Sequence, residues 1–326
     1  MKNTWAAVAL SRKLRRKPLK IWFNNTPVVL FRTATGVQAL HDRCPHRFAA
    51  LSDGWVAGDT IACPYHGWQF GGSGLCQAIP GHTGSLPTIR TKSYTATEAG
   101  GVIFIADGPP DTAPHTHPVK QDDIIIQHAT NASNSTLLDT AENILDATHT
   151  HYIHKGFLRG LNSTRFQVQV AVTGGDDWVE ACYTGEEQQQ GIVTKLLEGT
   201  RVKTIGRFRA PGIVELEYWG ENGITLGAAF HLRQSRPGQV DGIGFTVGPR
   251  DHGLGHLKGW LFKPFLHIGM HQDRKILKSS YEYSQLHPDM KPVIGPLDFL
   301  REDIARIIAG ERPRAADTPQ SLVMEL

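Results

Sequence analysis

Cys44-Pro45-His46-Arg47 and Cys63-Pro64-Tyr65-His66-Gly67-Trp68, with sixteen residues between His46 and Cys63, decide how this chain is read. Two thiolates and two imidazoles on two short proline-bearing loops are the makings of a metal centre. A structural zinc site normally supplies its cysteines first and its histidines later, at C-x2–4-C and H-x3–5-H spacings. Here the ligand types alternate, cysteine then histidine in each loop, which disfavours zinc.

A module built on such loops needs about a hundred residues. The chain has 326, enough for a second, larger domain with its own core. Residues 1–106 read as short strands broken by turns. Pro27–Arg32, Thr60–Cys63, Gly67–Phe70 and Gly101–Ala106 are apolar runs bounded by Gly, Asn and Asp. Residues 107–118 carry Pro109, Pro110, Pro114 and Pro118 and read as a linker. Residues 119–326 form the second domain. In it the spacing predicts a helix over 133–150, six antiparallel strands between 166 and 247, and helices over 256–283 and 296–309. A polar, loosely held tail follows Gly310. The fold class is α+β: an all-β N-terminal domain, then an antiparallel sheet covered by a long helix.

The second informative segment is Glu142-Asn143-Ile144-Leu145-Asp146-Ala147-Thr148-His149-Thr150-His151-Tyr152-Ile153-His154. On a continuous helix Glu142, Asp146 and His149 share one face. Buried charges beside an apolar stripe persist when paired or ligating metal. His149 and His154 reach one metal only if the helix ends or widens between them. Two histidines and one carboxylate with open coordination positions make the facial triad of non-haem Fe(II) proteins that activate oxygen. His151 reads as a packing or surface residue. Glu142 reads either as a group behind the ligands or as the partner of a basic side chain.

Together the two motifs resemble those of the Rieske non-haem iron oxygenases. Cys44 and Cys63 match the cysteine ligands of the Rieske [2Fe–2S] cluster and His46 and His66 its histidine ligands, which replace cysteine on the second iron and raise the potential. Ala49 and Tyr65 stand where the membrane-bound respiratory branch has its extra cysteines. His149 and His154 match the histidine ligands of the family's mononuclear iron. Asp273, in His271-Gln272-Asp273-Arg274, matches its carboxylate, with Glu282 the second choice. The resemblance implies that Asp146 carries electrons between subunits, linking His149 to His66 of the next chain in a head-to-tail homotrimer. It also implies a separate NAD(P)H-dependent reductase with flavin and iron–sulfur centres, with or without a ferredoxin, because no Gly-x-Gly-x-x-Gly fingerprint is present. O2 and a small aromatic or alicyclic substrate complete the reaction. The chain length and openings such as Pro27-Val-Val-Leu-Phe-Arg look most like the vanillate O-demethylase group, which implies monooxygenation or oxidative demethylation. A ring cis-dihydroxylating dioxygenase is the alternative, and an electron carrier without oxygen chemistry is the alternative from another class.

Composition narrows the rest. A net charge of +3 is well short of a nucleic-acid footprint. One basic run, Arg12-Lys13-Leu14-Arg15-Arg16-Lys17, is either a solvated face or a steering patch for an acidic electron donor. No stretch reaches the ~18 apolar residues of a membrane span, and the opening seventeen residues lack the apolar core of a secretion signal. Beyond the two motif cysteines only Cys76 and Cys182 remain, too few for a disulfide framework. A cytoplasmic location is expected. Phe208, Trp219, Phe230, Leu232, Trp260 and Phe265 are candidate pocket walls. Arg207, Arg209 and Arg233 are candidate contacts for an acidic substrate.

Overall fold

The run Pro27–Arg32 is apolar throughout because its strand is buried on both faces. Val28 and Leu30 pack into one core with Ile21, Ile103 and Ile105. Val29 and Phe31 point the other way, into a second core with Leu40, Leu51, Ile61 and Phe70. A computed structural model describes residues 4–119, 124–154, 165–185, 201–250 and 254–326 of the chain. The chain divides into two compact units, Met1–Thr116 with Gln234–Pro237, and His117–Arg233 with Gly238–Leu326.

The first unit holds β1 (Ala6–Leu10), β2 (Leu19–Phe23), β3 (Thr26–Thr33), β4 (Gly36–His41), β5 (Trp55–Ala57), β6 (Thr60–Ala62), β7 (Gln69–Gly71), β8 (Cys76–Ala78), β9 (Ser93–Ala99) and β10 (Val102–Ala106). Six form an antiparallel sheet in the order β1-β10-β9-β4-β3-β2, and β5-β6-β7-β8 form a small meander. The β2–β3 hairpin closes through Asn24 and Asn25, at φ 48° and 58°, the pair of positive angles that a two-residue hairpin turn matching strand twist requires. The basic run loops between β1 and β2, anchored by buried Leu14 with Arg12, Lys13, Arg15, Arg16 and Lys17 exposed.

The second unit is an eight-stranded antiparallel sheet. Its strands are β11 (Ile124–Ser133), β12 (Gln167–Gly174), β13 (Trp178–Thr184), β14 (Lys203–Arg209), β15 (Ile213–Gly220), β16 (Gly223–Arg236), β17 (Gln239–Pro249) and β18 (Gln320–Glu325). Their order is β11-β17-β16-β15-β14-β13-β12-β18. β12 alternates buried Val168, Val170 and Val172 with exposed residues, the pattern of a strand with one face in the core. Against that face lie α1 (Leu137–Leu145) and, further along the chain, the helix Arg301–Ile308, through Ala141, Leu145, Ile304 and Ile307. α2 (Thr150–Ile153) is a single turn, and α3 (Leu254–Leu286) packs against β11 and β17. Arg301–Ile308 is α4.

Three local expectations give way. The helix predicted over 133–150 begins only after Thr136, whose Oγ1 accepts from Asp139 N at 3.1 Å, and ends at Leu145. Asp146 stops it: its carboxylate accepts from the backbone N–H of Thr148 at 2.7 Å and of His149 at 3.3 Å. Such a side chain offers the backbone an alternative to the helix ladder. Residues 296–300 are not helical, since Asp298 accepts from Gly295 N at 2.6 Å in a turn ahead of α4. The tail is not loose: β18 pairs with β12 from Gln167↔Glu325 to Val172↔Gln320, burying Met324 and Leu326. Its composition misled because an edge strand keeps one face wet, so Ser321, Val323 and Glu325 stay exposed.

Candidate active site

The two cysteine–histidine loops share one backbone scheme. Cys44 N donates to Ala49 O at 2.8 Å and Phe48 N to Cys44 O at 2.9 Å; Cys63 N donates to Trp68 O at 2.8 Å and Gly67 N to Cys63 O at 2.9 Å. The scheme needs a left-handed residue four places after each cysteine. Gly67 fills it at φ 72° and Phe48 at φ 62°, the latter a conformation that costs a side-chain-bearing residue roughly 1–2 kcal/mol.

Both cysteines are buried in the core that holds Phe31 and Phe70, while His46 and His66 are exposed with ring centroids 4.7 Å apart. Burial pushes the Cys44 thiol up to about 11, so a thiolate persists there only against a strong positive charge such as iron. Desolvation, then His66 and Arg47, holds His46 below its ordinary value and favours the neutral ring that ligates metal. The donor set therefore fits a cluster with two sulfur and two nitrogen ligands. Trp68 stacks on His46 at 4.5 Å with planes 3° apart. Tyr65 and Phe48 are exposed and lie under the guanidinium groups of Arg47 and Arg43.

The basic run begins at the end of the sheet away from these loops. The first loop leaves β4 just past Leu40, which pairs with Ser93 at the start of β9. The run adjoins the far end of β9, where Ser11 N bonds Gly101 O. Six strand residues separate the two ends, about 20 Å at roughly 3.3 Å per residue.

In the second unit, the break at Asp146 turns His149 and His154 toward each other at the two ends of α2, with ring centroids 5.2 Å apart. α3 brings Asp273 between them: Oδ1 lies 3.6 Å from His149 Nε2 and 3.2 Å from His154 Nε2. One ligand atom from each of the three lies within 4.8 Å of the others. Asp273 Oδ1 is buried without a hydrogen bond, the state of a carboxylate oxygen aimed at a cation, so the trio fits a mononuclear metal. Gln272 Oε1 accepts from His154 Nδ1 at 2.8 Å. His149 Nδ1 faces Asp146 Oδ2 at 3.6 Å. Burial lowers the His154 pKa, but the nearby Asp273 carboxylate and the Gln272 hydrogen bond outweigh it and the net direction is upward.

The trio opens on a cavity of about 260 Å³ whose walls include Leu216, Leu226, Phe230 and Leu232. Asp146 lines this cavity and also an outer groove of about 660 Å³ beside α1 and α3. Glu142 pairs with Arg301 of α4. Glu282 is exposed and pairs with Lys278 at 3.6 Å. Among the predicted walls, Phe208 belongs to the core, Trp219 donates to Glu217 at 2.9 Å and Trp260 is exposed; the Phe265 side chain lies outside the described residues. Arg207 is held by Glu180 at 2.7 Å and by Glu215 at 2.6 Å, Arg209 lies 3.9 Å from Glu215, and Arg233 lies 3.2 Å from Asp241. None of the three lines the cavity, whereas Arg201 does.

Residues 4–94 match the family model of the Rieske [2Fe–2S] domain. The chain carries a Rieske [2Fe–2S] domain, and the relatives it resembles include proteins named as oxygenase components of an O-demethylase and of a steroid monooxygenase. It is 33% identical over 185 residues to the oxygenase component of dicamba O-demethylase from Stenotrophomonas maltophilia, 54% of each chain. It is 35% identical over 167 residues to a putative toluene-4-sulfonate monooxygenase system iron–sulfur subunit from Comamonas testosteroni, 47% of this chain and 46% of the relative. The chain thus spans about half the length of these curated relatives. Dicamba monooxygenase bound to 3,6-dichlorosalicylic acid has the same fold, with a TM-score of 0.80 at 21% identity over 94% of this chain and 96% of that one. NdmA of Pseudomonas putida CBB5 with caffeine superposes at a TM-score of 0.73, 19% identity, over 91% and 87%. A [2Fe–2S] cluster is the cofactor of the matched domain, and the His149, His154 and Asp273 trio is a potential metal site.

Proposed function

We propose that the protein is the oxygenase component of a multicomponent Rieske monooxygenase, hydroxylating or oxidatively demethylating a small aromatic substrate. The observation that carries this reading is Asp273 Oδ1 set between two imidazoles at the wall of an apolar cavity, in a chain that also bears the Rieske loops. Cys44 and Cys63 would hold one cluster iron and His46 and His66 the other; His149, His154 and Asp273 would hold the mononuclear iron. With its metals bound, such a protein has single electrons from the cluster and oxygen activation at the mononuclear iron.

The chain's own residues set the conditions. Gln272 takes the Nδ1 proton of His154 in a hydrogen bond and leaves Nε2 bare for metal. Leu216, Phe230 and Leu232 exclude water from the space beside the triad. His46 and His66 are exposed and would form the solvent-facing edge of a cluster held here, the side open to a redox partner. Asp146, reachable from the outer groove and facing His149, bridges His149 to His66 of a second copy in a homotrimer. Met290, Val293 and Ile294 expose apolar surface along that groove, which supports a covering copy. A separate NAD(P)H-dependent reductase supplies the electrons, directly or through a ferredoxin. No helix among the described residues is long and apolar enough to cross a membrane, and the cytoplasm suits a cluster protein with so few cysteines.

The test is a single turnover of reduced, iron-loaded protein with aryl methyl ethers, following products by mass. Loss of one methylene with release of formaldehyde is expected. A product that keeps its methyl and gains two oxygens would move the protein to ring dihydroxylation. No oxygenated product, with two rather than three irons per chain, would make it an electron carrier.

A further inference from the structure

The backbone of the first ligand loop is fixed from its base. Buried Asp42 accepts from Ser52 N and from Ser52 Oγ, both at 2.7 Å, so one carboxylate staples the chain entering the loop to the chain leaving it. Within the loop Phe48 N returns to Cys44 O at 2.9 Å. The freedom left at exposed His46 is rotation of its ring, and the last torsion of a histidine is a soft one. Trp68 faces that ring. Its indole lies parallel to the imidazole within 3° at a centroid distance of 4.5 Å, the separation of an offset stack. Trp68 belongs to the other loop: its carbonyl accepts from Cys63 N at 2.8 Å, and its side chain packs against the core that holds both cysteines. One residue thus ties the backbone of the second ligand loop to the ring of the first. His66 is flanked differently, by its chain neighbour Tyr65, which is exposed and tilted from it by 30°.

We propose that Trp68 is a positioning residue for the [2Fe–2S] cluster, its indole clamping the ring plane of His46 across the two loops. Groups behind a metal ligand set its orientation, and losing one weakens the site by about 10–100-fold. An exposed histidine lacks the enclosing packing that holds a core side chain in one rotamer, so the stack supplies what burial does not. This inference rests on reading Cys44, His46, Cys63 and His66 as the cluster ligands, and is independent of the reaction at the second metal site.

The experiment is pulsed electron paramagnetic resonance of the dithionite-reduced holoprotein, which reads ligand nitrogens through their coupling to the unpaired electron. The rate at which a ferrous chelator strips the cluster is followed beside it. Wild type is expected to show two histidine nitrogens. In Trp68→Leu one of the two couplings is expected to shift, and the cluster to be lost at least about tenfold faster. Trp68→Phe keeps a flat ring over His46 and is expected to bring both readouts back near wild type. Tyr65→Leu removes the ring beside His66 and is expected to leave unchanged the coupling that Trp68→Leu moves. If Trp68→Leu assembles no cluster, the phenylalanine variant decides: assembly with wild-type couplings supports the clamp, and failure to assemble overturns it. Unchanged couplings in a cluster-bearing Trp68→Leu, or equal shifts in the leucine and phenylalanine variants, would overturn the proposal. Wild type with fewer than two nitrogen couplings would overturn the ligand assignment, and the clamp with it.

Discussion

Gln272 Oε1 accepts the Nδ1 hydrogen of His154 at 2.8 Å, one residue before the carboxylate that meets the Nε2 of the same ring at 3.2 Å. Consecutive residues of one helix thus address the two nitrogens of one imidazole and fix its tautomer. His149 is backed differently, by the Asp146 carboxylate.

Removing the Gln272 acceptor leaves the His154 ring free to rotate and to take the other tautomer. Gln272→Leu is expected to weaken binding at the mononuclear site by about 10–100-fold, while Gln272→Glu keeps an acceptor and holds affinity near wild type. Cobalt(II) titration of protein stripped of mononuclear iron reads this without turnover. Unchanged affinity in the leucine variant would remove Gln272 from the site.

Asp273→Ala takes away the only carboxylate of the trio. Iron per chain should fall from about three to about two, with the visible spectrum of the cluster unchanged. Full iron content would reassign the third ligand.

Asp146 has two jobs that substitutions separate. Asp146→Asn keeps an oxygen for the Thr148 N–H, the shorter of the two turn bonds, so folding and both metals should survive while reoxidation of the reduced cluster by substrate and O2 stops. Asp146→Ala also loses the turn, at a cost of about 1 kcal/mol, visible as a lower melting temperature. Cluster reoxidation at the wild-type rate in the asparagine variant would end the bridging role.

The left-handed positions of the two ligand loops should respond in opposite senses. Gly67→Ala adds a Cβ at φ 72° that would lie 3.0 Å from Pro80 Cγ, and it should destabilise the domain by about 1–2 kcal/mol. Phe48→Gly relieves the same conformation and should not lower stability. Chemical denaturation followed by cluster absorbance distinguishes them, and equal effects would refute the strain argument.

Glu98 is held below the usual carboxylate range by its hydrogen bonds to Arg32, at 2.7 and 2.8 Å. A carboxylate with a lowered folded-state pKa contributes stability that is full above its unfolded value, near 4.3, and is lost as pH falls through the folded one. Because the pair is partly exposed, its worth is below about 1 kcal/mol. Glu98→Gln should therefore be less stable than wild type at pH 7 and converge with it below about pH 4.

The sequence exposes what is local. Each cluster ligand pair lies within four residues, and His149 and His154 lie within six, so spacing alone brings them into view. Asp273 came from a resemblance, because nothing near it in the chain marks it as facing residues of α2. The helix break at Asp146 was readable in principle, since a short carboxylate ahead of Thr148 is a stop signal; the apolar period through Leu145 masked it. β11 and β18 were missed because each exposes much of one face. Arg201 and the Gln272 contact carry no local signature at all, as both are defined by strands and helices distant in sequence.

The three triad side chains come from two stretches far apart in the chain, the segment around α2 and the middle of α3. A metal seated among them is therefore a removable cross-link that closes the long loop from His154 to Asp273. Ligation free energy at such a site is also folding free energy, so chelation should do more than silence the chemistry. It should loosen the attachment of α3 to the sheet and hand proteases a cut in that helix, which metal would protect.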